Sequence, residues 1–225
     1  MTGITYAIIA CYIDKGMKSK GSKCLMEFNK KKLLDYQIGN IISGHNKKIP
    51  YEIIIITNFE TQKIQKHFSE KAKIIEHKEL VNPIVQISEE AKYKNIFFID
   101  YGCVYSKDII NNLKFADSFI LSIKNKASNE LDVGITKDNT DIITHMFFGL
   151  EDCKFTNMFY LSESDTTRIL KNISIHRNNL LYFEIINFLV NQGSLIATRP
   201  INKNLFIFFN NARQKNGITK FIKNN

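Results

Sequence analysis

The sequence predicts an α/β fold in three layers, with helices on both faces of a mixed, mostly parallel sheet. Two observations carry this prediction. Short runs of apolar, β-branched residues alternate with helical segments through the first 100 residues, an order that favours parallel strands joined by right-handed crossovers. In addition, residues 51–57 and 95–100 are almost continuously apolar, which is typical of strands covered on both faces.

The first half of the chain alternates regularly. Leu33, Leu34, Ile38, Ile41 and Ile42 recur at helical spacing until Gly44, which suits a helix stop. Asn82 is a good N-cap, and Pro83 suits the first turn of the helix that follows it. The predicted strands are 4–11, 51–57, 74–75 and 95–100, and the predicted helices are 33–44, 60–68 and 83–92.

The pattern changes after Asp100. Strand-like runs with short polar connections cover 115–123, 133–136 and 142–148, and they predict a small, partly antiparallel extension of the sheet. Helices are expected at 163–172 and 178–192, strands at 195–198 and 205–209, and a basic helix from 210 onward. Because neither a repeat nor a linker interrupts the chain, we expect a single domain over 1–225.

Composition excludes several classes of protein. The chain has 225 residues, 44% of them hydrophobic, with 10 Gly and 3 Pro, which excludes collagen, coiled coil and wholesale disorder. Its longest apolar runs are far shorter than the roughly 20 residues that span a bilayer, so no membrane span is expected. The first apolar run is not preceded by the basic segment that an export signal has, and the four cysteines are dispersed along the chain. These features predict reduced thiols, no zinc site and a cytoplasmic protein.

The positive charge is concentrated at the two ends of the chain. Residues 1–50 carry nine Lys and three acids, and residues 201–225 carry five basic groups and no acid. If the fold brings the ends together, they form an electropositive mouth suited to phosphates; otherwise they are a nucleic-acid footprint or solvated lysines. The chain has only four Arg residues, which disfavours nucleic acid as the partner.

Two features are candidates for chemistry. The first is the Lys-rich loop 12–25 after the first strand, a position where α/β sheets bind nucleotide phosphates. The second is Asp100, which ends a buried strand and could hold Mg²⁺ against a triphosphate. The alternative for the loop is a solvated loop without a ligand. The alternative for Asp100 is a turn or N-cap residue ahead of Gly102.

Residues 9–25 resemble the N-terminal signature of sugar-phosphate and phosphocholine-type nucleotidyltransferases, which have a GT-A-like, Rossmann-like fold. That signature reads Leu-Ala-Ala-Gly-x-Gly-x-Arg-Met followed by Pro-Lys-x-Leu. Ile9-Ala-Cys-Tyr-Ile-Asp-Lys-Gly-Met17 and Ser22-Lys-Cys-Leu25 align with it without a gap. Later segments, among them KKLLDYQIGNII and VGITKDNTDIITHMFFGL, are similar to the family in their pattern of hydrophobicity and in their order.

The resemblance implies roles for particular residues. Lys23 falls on the signature lysine, Asp100 matches the metal-binding aspartate, and Asn82 lies where such enzymes contact the base. FIFFNNARQ lies where the second acidic motif would be, which puts Asn210 or Asn211 at the second metal-facing position. The full set of implied nucleotide-binding residues is Ala10, Cys11, Tyr12, Lys15, Gly16, Lys18 and Asn82, and the acceptor-binding candidates are Asn157 and Glu184.

The activity that the resemblance implies is transfer of a nucleoside monophosphate from an NTP to a phosphorylated small molecule, with release of pyrophosphate. Mg²⁺ is the implied cofactor and CTP or UTP the favoured nucleotide. A sugar 1-phosphate or a phosphocholine-like compound is the implied acceptor. The resemblance leaves a homodimer open.

The chain also departs from the signature. Tyr12 and Asp14 replace the two glycines, Gly16 replaces the arginine, and Ser22 replaces the proline. A side chain at either glycine position obstructs close approach of the backbone to phosphates. Two alternatives therefore stay open: a catalytically degenerate relative that serves as a binding or assembly module, and a GT-A-type glycosyltransferase. The lack of a clear Asp-x-Asp after the fourth strand disfavours the glycosyltransferase.

Overall fold

The computed structural model describes residues 3–11, 21–124, 132–149, 151–173 and 180–225. The strands are β1 (Ile4–Ala10), β2 (Glu27–Phe28), β3 (Lys31–Lys32), β4 (Tyr51–Thr57), β5 (Lys73–Glu76), β6 (Ile96–Asp100), β7 (Cys103–Tyr105), β8 (Phe119–Lys124), β9 (Val133–Lys137), β10 (Ile143–Phe148), β11 (Cys153–Leu161), β12 (Ala197–Pro200) and β13 (Phe206–Phe208). The helices are α1 (Leu33–Gly44), α2 (Thr61–Phe68), α3 (Pro83–Glu90), α4 (Lys107–Asn111), α5 (Glu163–Asn172), α6 (Tyr182–Asn191) and α7 (Lys215–Asn224). Within these ranges, no helix has the length and apolar character that crossing a membrane requires.

The first half of the chain forms the parallel part of the main sheet, in the order β5-β4-β1-β6. Ile8 of β1 is in register with Ile55 on one side and with Ile99 on the other, and all three ladders are parallel. Ile53 to Ile56 are buried without exception, because helices cover both faces of these strands. The predicted parallel sheet is confirmed.

Side chains alternate along β1 between two cores, which makes the three layers. Tyr6 and Ile8 pack with residues of α1, α2 and α4 on one face of the sheet. Ala7 and Ile9 pack with residues of α3, α5 and α6 on the other. This alternation follows from the two-residue period of a strand.

The antiparallel extension is confirmed, and its central strand, β11, is one that the sequence analysis missed. β11 lies antiparallel to β6, with Met158 opposite Ile99, and antiparallel to β8 on its other side. β8 in turn pairs in parallel with β12, and the β9–β10 pair lies beside the first half of β11. The periodicity of β11 is broken at Asn157, which has a φ of 59° where the register shifts. That irregularity hides the strand from pattern reading.

The boundaries of several later elements differ from those predicted. β8 begins at Phe119 instead of 115. Phe115 lies before the strand and is packed by its ring, whose centroid is 5.1 Å from that of Tyr160. α7 begins at Lys215 instead of 210, after a 3-10 turn at Ala212–Gln214. The last two predicted strands form, but they pair with β8 and β7 and not with each other.

Candidate functional site

The candidate site lies at the carboxyl ends of β1 and β6. Ala10 and Cys11 end the described part of the N-terminal segment, and both are buried. Asp100 pairs with Ile9 across the two strands, and the Tyr101 N–H donates to the Ile9 carbonyl over 3.0 Å. The end of β1, which the Lys-rich loop follows in the sequence, and the predicted metal ligand are therefore neighbours, as the crevice of an α/β sheet requires.

Asp100 is a buried carboxylate with two hydrogen-bond donors. Its side chain is only 7% exposed; Oδ1 accepts the Gly102 N–H over 2.8 Å, and Oδ2 accepts the Tyr182 hydroxyl over 3.0 Å. Burial raises the pKa of Asp100 to about 6, and the two donors and the Lys23 charge oppose this rise. The contact with Gly102 is the turn interaction considered in the sequence analysis, and it coexists with the position at the strand end.

Lys23 lies near Asp100. It belongs to a 3-10 turn (Lys23–Leu25) whose N-cap is Ser22, and it is only 5% exposed. Its Nζ lies 5.2 Å from the centroid of the Tyr101 ring and 5.7 Å from that of Phe209. Aromatic faces stabilise an ammonium group in a partly dehydrated place. The fold thus brings the signature lysine close enough to Asp100 for its charge to lower the pKa of that carboxyl.

Tyr182 is a site residue that the sequence analysis missed. It is the first residue of α6 and is separated from Asp100 by 82 residues. The segment before α6 is held by Asn82, whose Nδ2 donates to the Leu180 carbonyl over 3.0 Å. Asn82 Oδ1 accepts the Ile84 N–H, which confirms its predicted role as N-cap of α3. Its contact with a base stays a prediction.

Glu60 was also missed, and it anchors the end of the Lys-rich loop. The Ser22 N–H donates to Glu60 Oε2 over 2.7 Å. Glu60 has a φ of 54°, and Gly21 has a φ of +79°; a Cβ at Gly21 would lie 3.0 Å from Glu60 Oε2. Gly21 suits this position because a left-handed backbone and a close carboxylate both disfavour a side chain.

β13 brings the second candidate metal motif to the site. It pairs antiparallel with β7, and the Phe209 N–H donates to the Gly102 carbonyl over 2.8 Å, so exposed Asn210 follows directly beside the Asp100 turn. The Asn211 side chain accepts the Arg213 N–H and caps the next turn. This favours Asn210 over Asn211 as the second metal-facing residue.

The acceptor candidates lie at the same edge of the sheet. Because Met158 is opposite Ile99, Asn157 is the next residue of β11 toward Asp100. Glu184 Oε2 accepts the Leu181 N–H over 2.7 Å, so this carboxylate caps the helix that starts with Tyr182. Their contact with an acceptor stays a prediction. Tyr12, Lys15, Gly16 and Lys18 lie outside the described residues.

The cysteines are free thiols, as expected. Burial raises the pKa of Cys11 and of Cys24 to about 12, and that of Cys103 well above its usual range. A thiol with such a pKa is a poor nucleophile at neutral pH. Cys11, Cys24 and Cys103 therefore contribute packing and no covalent chemistry.

The donor set suits Mg²⁺ better than a transition metal. In the described ranges, no three His, Cys, Asp or Glu side chains are grouped as a metal cage. Mg²⁺ instead binds through one or two carboxylates together with substrate phosphates. Asp100 has lone pairs beyond the two that its hydrogen bonds use, and an amide oxygen such as that of Asn210 is a suitable hard ligand. The residues present therefore fit a magnesium ion held jointly with a nucleotide.

Comparison with known proteins identifies solved structures with the same fold. No protein-family model matches the chain, and no curated protein is similar to it in sequence. Solved structures are similar over nearly the whole chain. CTP:phosphocholine cytidylyltransferase from Streptococcus pneumoniae superposes with a TM-score of 0.78 at 11% identity, covering 98% of this chain and 99% of that one. The inositol-1-phosphate CTP transferase of T. maritima superposes with a TM-score of 0.75 at 11% identity, covering 99% of this chain and 97% of that one.

A third similar structure is the nucleoside-diphosphate-sugar pyrophosphorylase of Vibrio cholerae, with a TM-score of 0.73 at 11% identity, covering 95% of this chain and 99% of that one. The three proteins act on different substrates and share one architecture. The chain therefore has the nucleotidyltransferase fold, which confirms at the level of the fold the resemblance drawn from residues 9–25.

Proposed function

We propose that this protein is a nucleotidyltransferase that transfers a nucleoside monophosphate from an NTP to a phosphorylated small molecule. The observation that carries the proposal is the meeting of Lys23 and Asp100. These residues are far apart in the chain, yet both are buried near the carboxyl ends of the central strands. There the Lys23 charge acts on the Asp100 carboxyl. A buried lysine and carboxylate with a perturbed pKa in a sheet crevice are typical of a catalytic site.

The chemistry needs positioning and neutralisation of charge. A phosphate oxygen of the acceptor attacks the α-phosphorus of the NTP, the bond to the β-phosphate breaks, and pyrophosphate leaves. Lys23 neutralises the charge that develops on the α-phosphate oxygens, and its burial makes this interaction stronger than it is in water. The aromatic rings of Tyr101 and Phe209 hold the ammonium in place.

Asp100, with Asn210, would hold Mg²⁺. When bound, that ion neutralises and orients the phosphates of the nucleotide. Tyr182 and the Gly102 N–H keep the carboxylate oriented, and both favour its ionised form. In this proposal Ala10 and Cys11 lie on the phosphate side, and Asn82 lies on the base side.

We propose CTP or UTP as the nucleotide and a sugar 1-phosphate or phosphocholine-like compound as the acceptor. This proposal is supported by two of the similar structures, which are named as a CTP:phosphocholine cytidylyltransferase and an inositol-1-phosphate CTP transferase. Asn157 is the favoured acceptor contact because it lies beside the end of β6. Glu184 is the weaker candidate because its carboxylate already caps α6.

Thermal unfolding with each of the four common NTPs, with and without Mg²⁺, tests the proposal. A ligand at about 100 times its Kd adds about 2.7 kcal/mol, which raises the Tm of a chain of this size by about 5–10 °C. We expect such a rise with one pyrimidine nucleotide, only with Mg²⁺, followed by pyrophosphate release when the acceptor is added. No rise with any NTP at millimolar concentration would favour the binding-module alternative. Hydrolysis of a nucleotide-sugar without NTP would favour the glycosyltransferase.

Replacing Tyr182 with Phe tests the positioning of Asp100. The Tyr182 hydroxyl lowers the pKa of Asp100, so its loss raises that pKa further above about 6. Because the ionised carboxylate is the active form, we expect the acid limb of kcat/KM to move about one unit to higher pH. Tyr160→Phe is the matched control, since its hydroxyl donates to Asn95 at the amino end of β6. An unmoved limb in Tyr182→Phe, or an equal shift in both variants, would contradict the assignment.

A further inference from the structure

The fold brings the two basic ends of the chain together on one surface. β2 and β3 form a two-stranded hairpin from the first 50 residues, and α7, at the end of the chain, packs against it. Phe28 of the hairpin, Ile218 of α7 and Phe209 share one small core, with the Phe28 and Phe209 ring centroids 5.6 Å apart. The sequence left open whether the ends meet, and the tertiary structure decides that they do.

This surface carries a large excess of positive charge. The hairpin (27–32) and the C-terminal segment (213–225) together contain seven cations and one acid, Glu27. We define the basic face as these seven cations: Lys30, Lys31, Lys32, Arg213, Lys215, Lys220 and Lys223. Six of the seven are exposed, and Lys32 is half-buried. The nearby carboxylate of Asp35 is paired with Lys71 and so offsets the basic face little.

The basic face exposes charged side chains and little apolar surface. Ile218 of α7 is buried, and Phe221 and Ile222 are half-buried against the same core. Lys220 and Lys223 follow on the other side of the helix, roughly 140–200° around from Ile218 at 3.6 residues per turn. No large apolar side chain is exposed in 27–32 or 213–225. Binding at this surface would therefore depend on charge and not on the insertion of apolar side chains.

We propose that the basic face docks this protein onto an anionic lipid surface. Six of its seven cations are Lys and one is Arg. An ammonium is a strongly hydrated point charge that needs no fixed partner geometry, which suits a fluid layer of phosphate headgroups. Sequence-specific reading of nucleic acid instead favours the bidentate fork of Arg. The proposal is independent of the reaction at Lys23 and Asp100.

Vesicle binding tests the docking surface. We compare co-sedimentation of the full chain with vesicles of phosphatidylcholine alone and with vesicles that contain phosphatidylglycerol, at low and high salt. One double variant is Lys30→Gln with Lys31→Gln, and the other is Lys220→Gln with Lys223→Gln. At about fivefold per lysine, each pair should weaken binding to the anionic vesicles about 25-fold. Both double variants should weaken vesicle binding to the same extent, because the fold places the two lysine pairs on one surface.

The matched control is Lys47→Gln with Lys48→Gln, an exposed lysine pair outside the basic face that should bind like the wild type. Salt should weaken binding of the wild type, and vesicles of phosphatidylcholine alone should bind little. An equal loss in the control pair, or none in either test pair, would overturn the proposal. Tighter binding to duplex DNA than to anionic vesicles, lost in the same two variants, would overturn it in favour of nucleic acid. Circular dichroism checks the fold of each variant.

Discussion

Lys23→Met should lower kcat about 10²- to 10³-fold, since a preorganised charge at a developing oxyanion contributes this much to a transition state. Methionine keeps most of the buried stem and removes only the ammonium. That ammonium lies 5.2 and 5.7 Å from the centroids of two aromatic rings and acts on Asp100. Its loss removes the proposed charge near the phosphates and also leaves the Asp100 carboxylate less well stabilised. Pyrophosphate release with saturating nucleotide and acceptor measures the effect.

Lys71→Met is a closely matched control for this variant. Lys71 also lies near a carboxylate, that of Asp35 at 3.2 Å, and 6.0 Å from the centroid of a ring, that of Phe68. Its side chain is 49% exposed and lies outside the candidate site. We therefore expect near-normal turnover from Lys71→Met. The same result from Lys23→Met would remove Lys23 from the catalytic machinery.

Asp100→Asn should abolish the Mg²⁺-dependent rise in Tm with nucleotide and reduce turnover by at least about 10²-fold, because the variant lacks the carboxylate charge that holds a hard cation. Asparagine has nearly the same shape and can still accept a hydrogen bond, so loss of folding is not the expected cause. Titration of Mg²⁺ at fixed nucleotide, followed by Tm, measures the effect directly. An unchanged magnesium dependence would contradict the assignment of Asp100.

Asp100→Asn, which should impair magnesium binding and turnover, should increase the stability of the protein. The pKa of Asp100 is about 6 in the folded protein and 3.8 when unperturbed. Folding therefore favours the protonated form, and the wild type loses stability as pH rises from about 4 to 6. Above pH 6 the loss in the free energy of unfolding of the wild type is constant, at about 3 kcal/mol. Asp100→Asn cannot ionise, so relative to the wild type it should gain up to that amount between pH 4 and pH 8. Denaturant unfolding at a series of pH values measures this gain.

Asp138→Asn serves as the control of opposite sign. Hydrogen bonds from the Thr140 hydroxyl and from backbone N–H groups lower the pKa of Asp138. Its ionised form is thus favoured by folding, and the substitution should remove stability that is present above the unfolded pKa and lost as pH falls. A gain in Asp138→Asn with rising pH, or none in Asp100→Asn, would show that burial does not govern the titration of Asp100.

The parallel half of the fold was predictable because its signal is local. Strands covered on both faces are apolar over most of their length, so β1, β4 and β6 appear as nearly continuous apolar runs in the sequence. The helix α1 shows its 3.6-residue period, and Asn82 and Pro83 mark the start of α3. The signature also located Lys23 as a candidate, and the end of a buried apolar run located Asp100, because each falls at a position defined by its neighbours in the chain.

The contacts that complete the site left no such local trace. Tyr182 reaches Asp100 across 82 residues, and Glu60 holds the Ser22 N–H across 38. Neither residue belongs to a run or motif that points to its partner. β11 was missed for a related reason: the bulge at Asn157 breaks the alternation by which a strand is recognised.

The sequence by itself determined the order of the elements in the parallel half, the concentration of lysine at the two ends and the two residues on which the proposed chemistry depends. Local propensity, hydrophobic period and motif spacing are all properties of neighbouring residues, and these features need nothing more. Only the tertiary structure decided that Lys23 meets Asp100, that Tyr182 holds the carboxylate and that the basic ends share a face. Such contacts arise because burial of apolar surface packs distant segments together, and the Phe28, Phe209 and Ile218 core does this for the basic face.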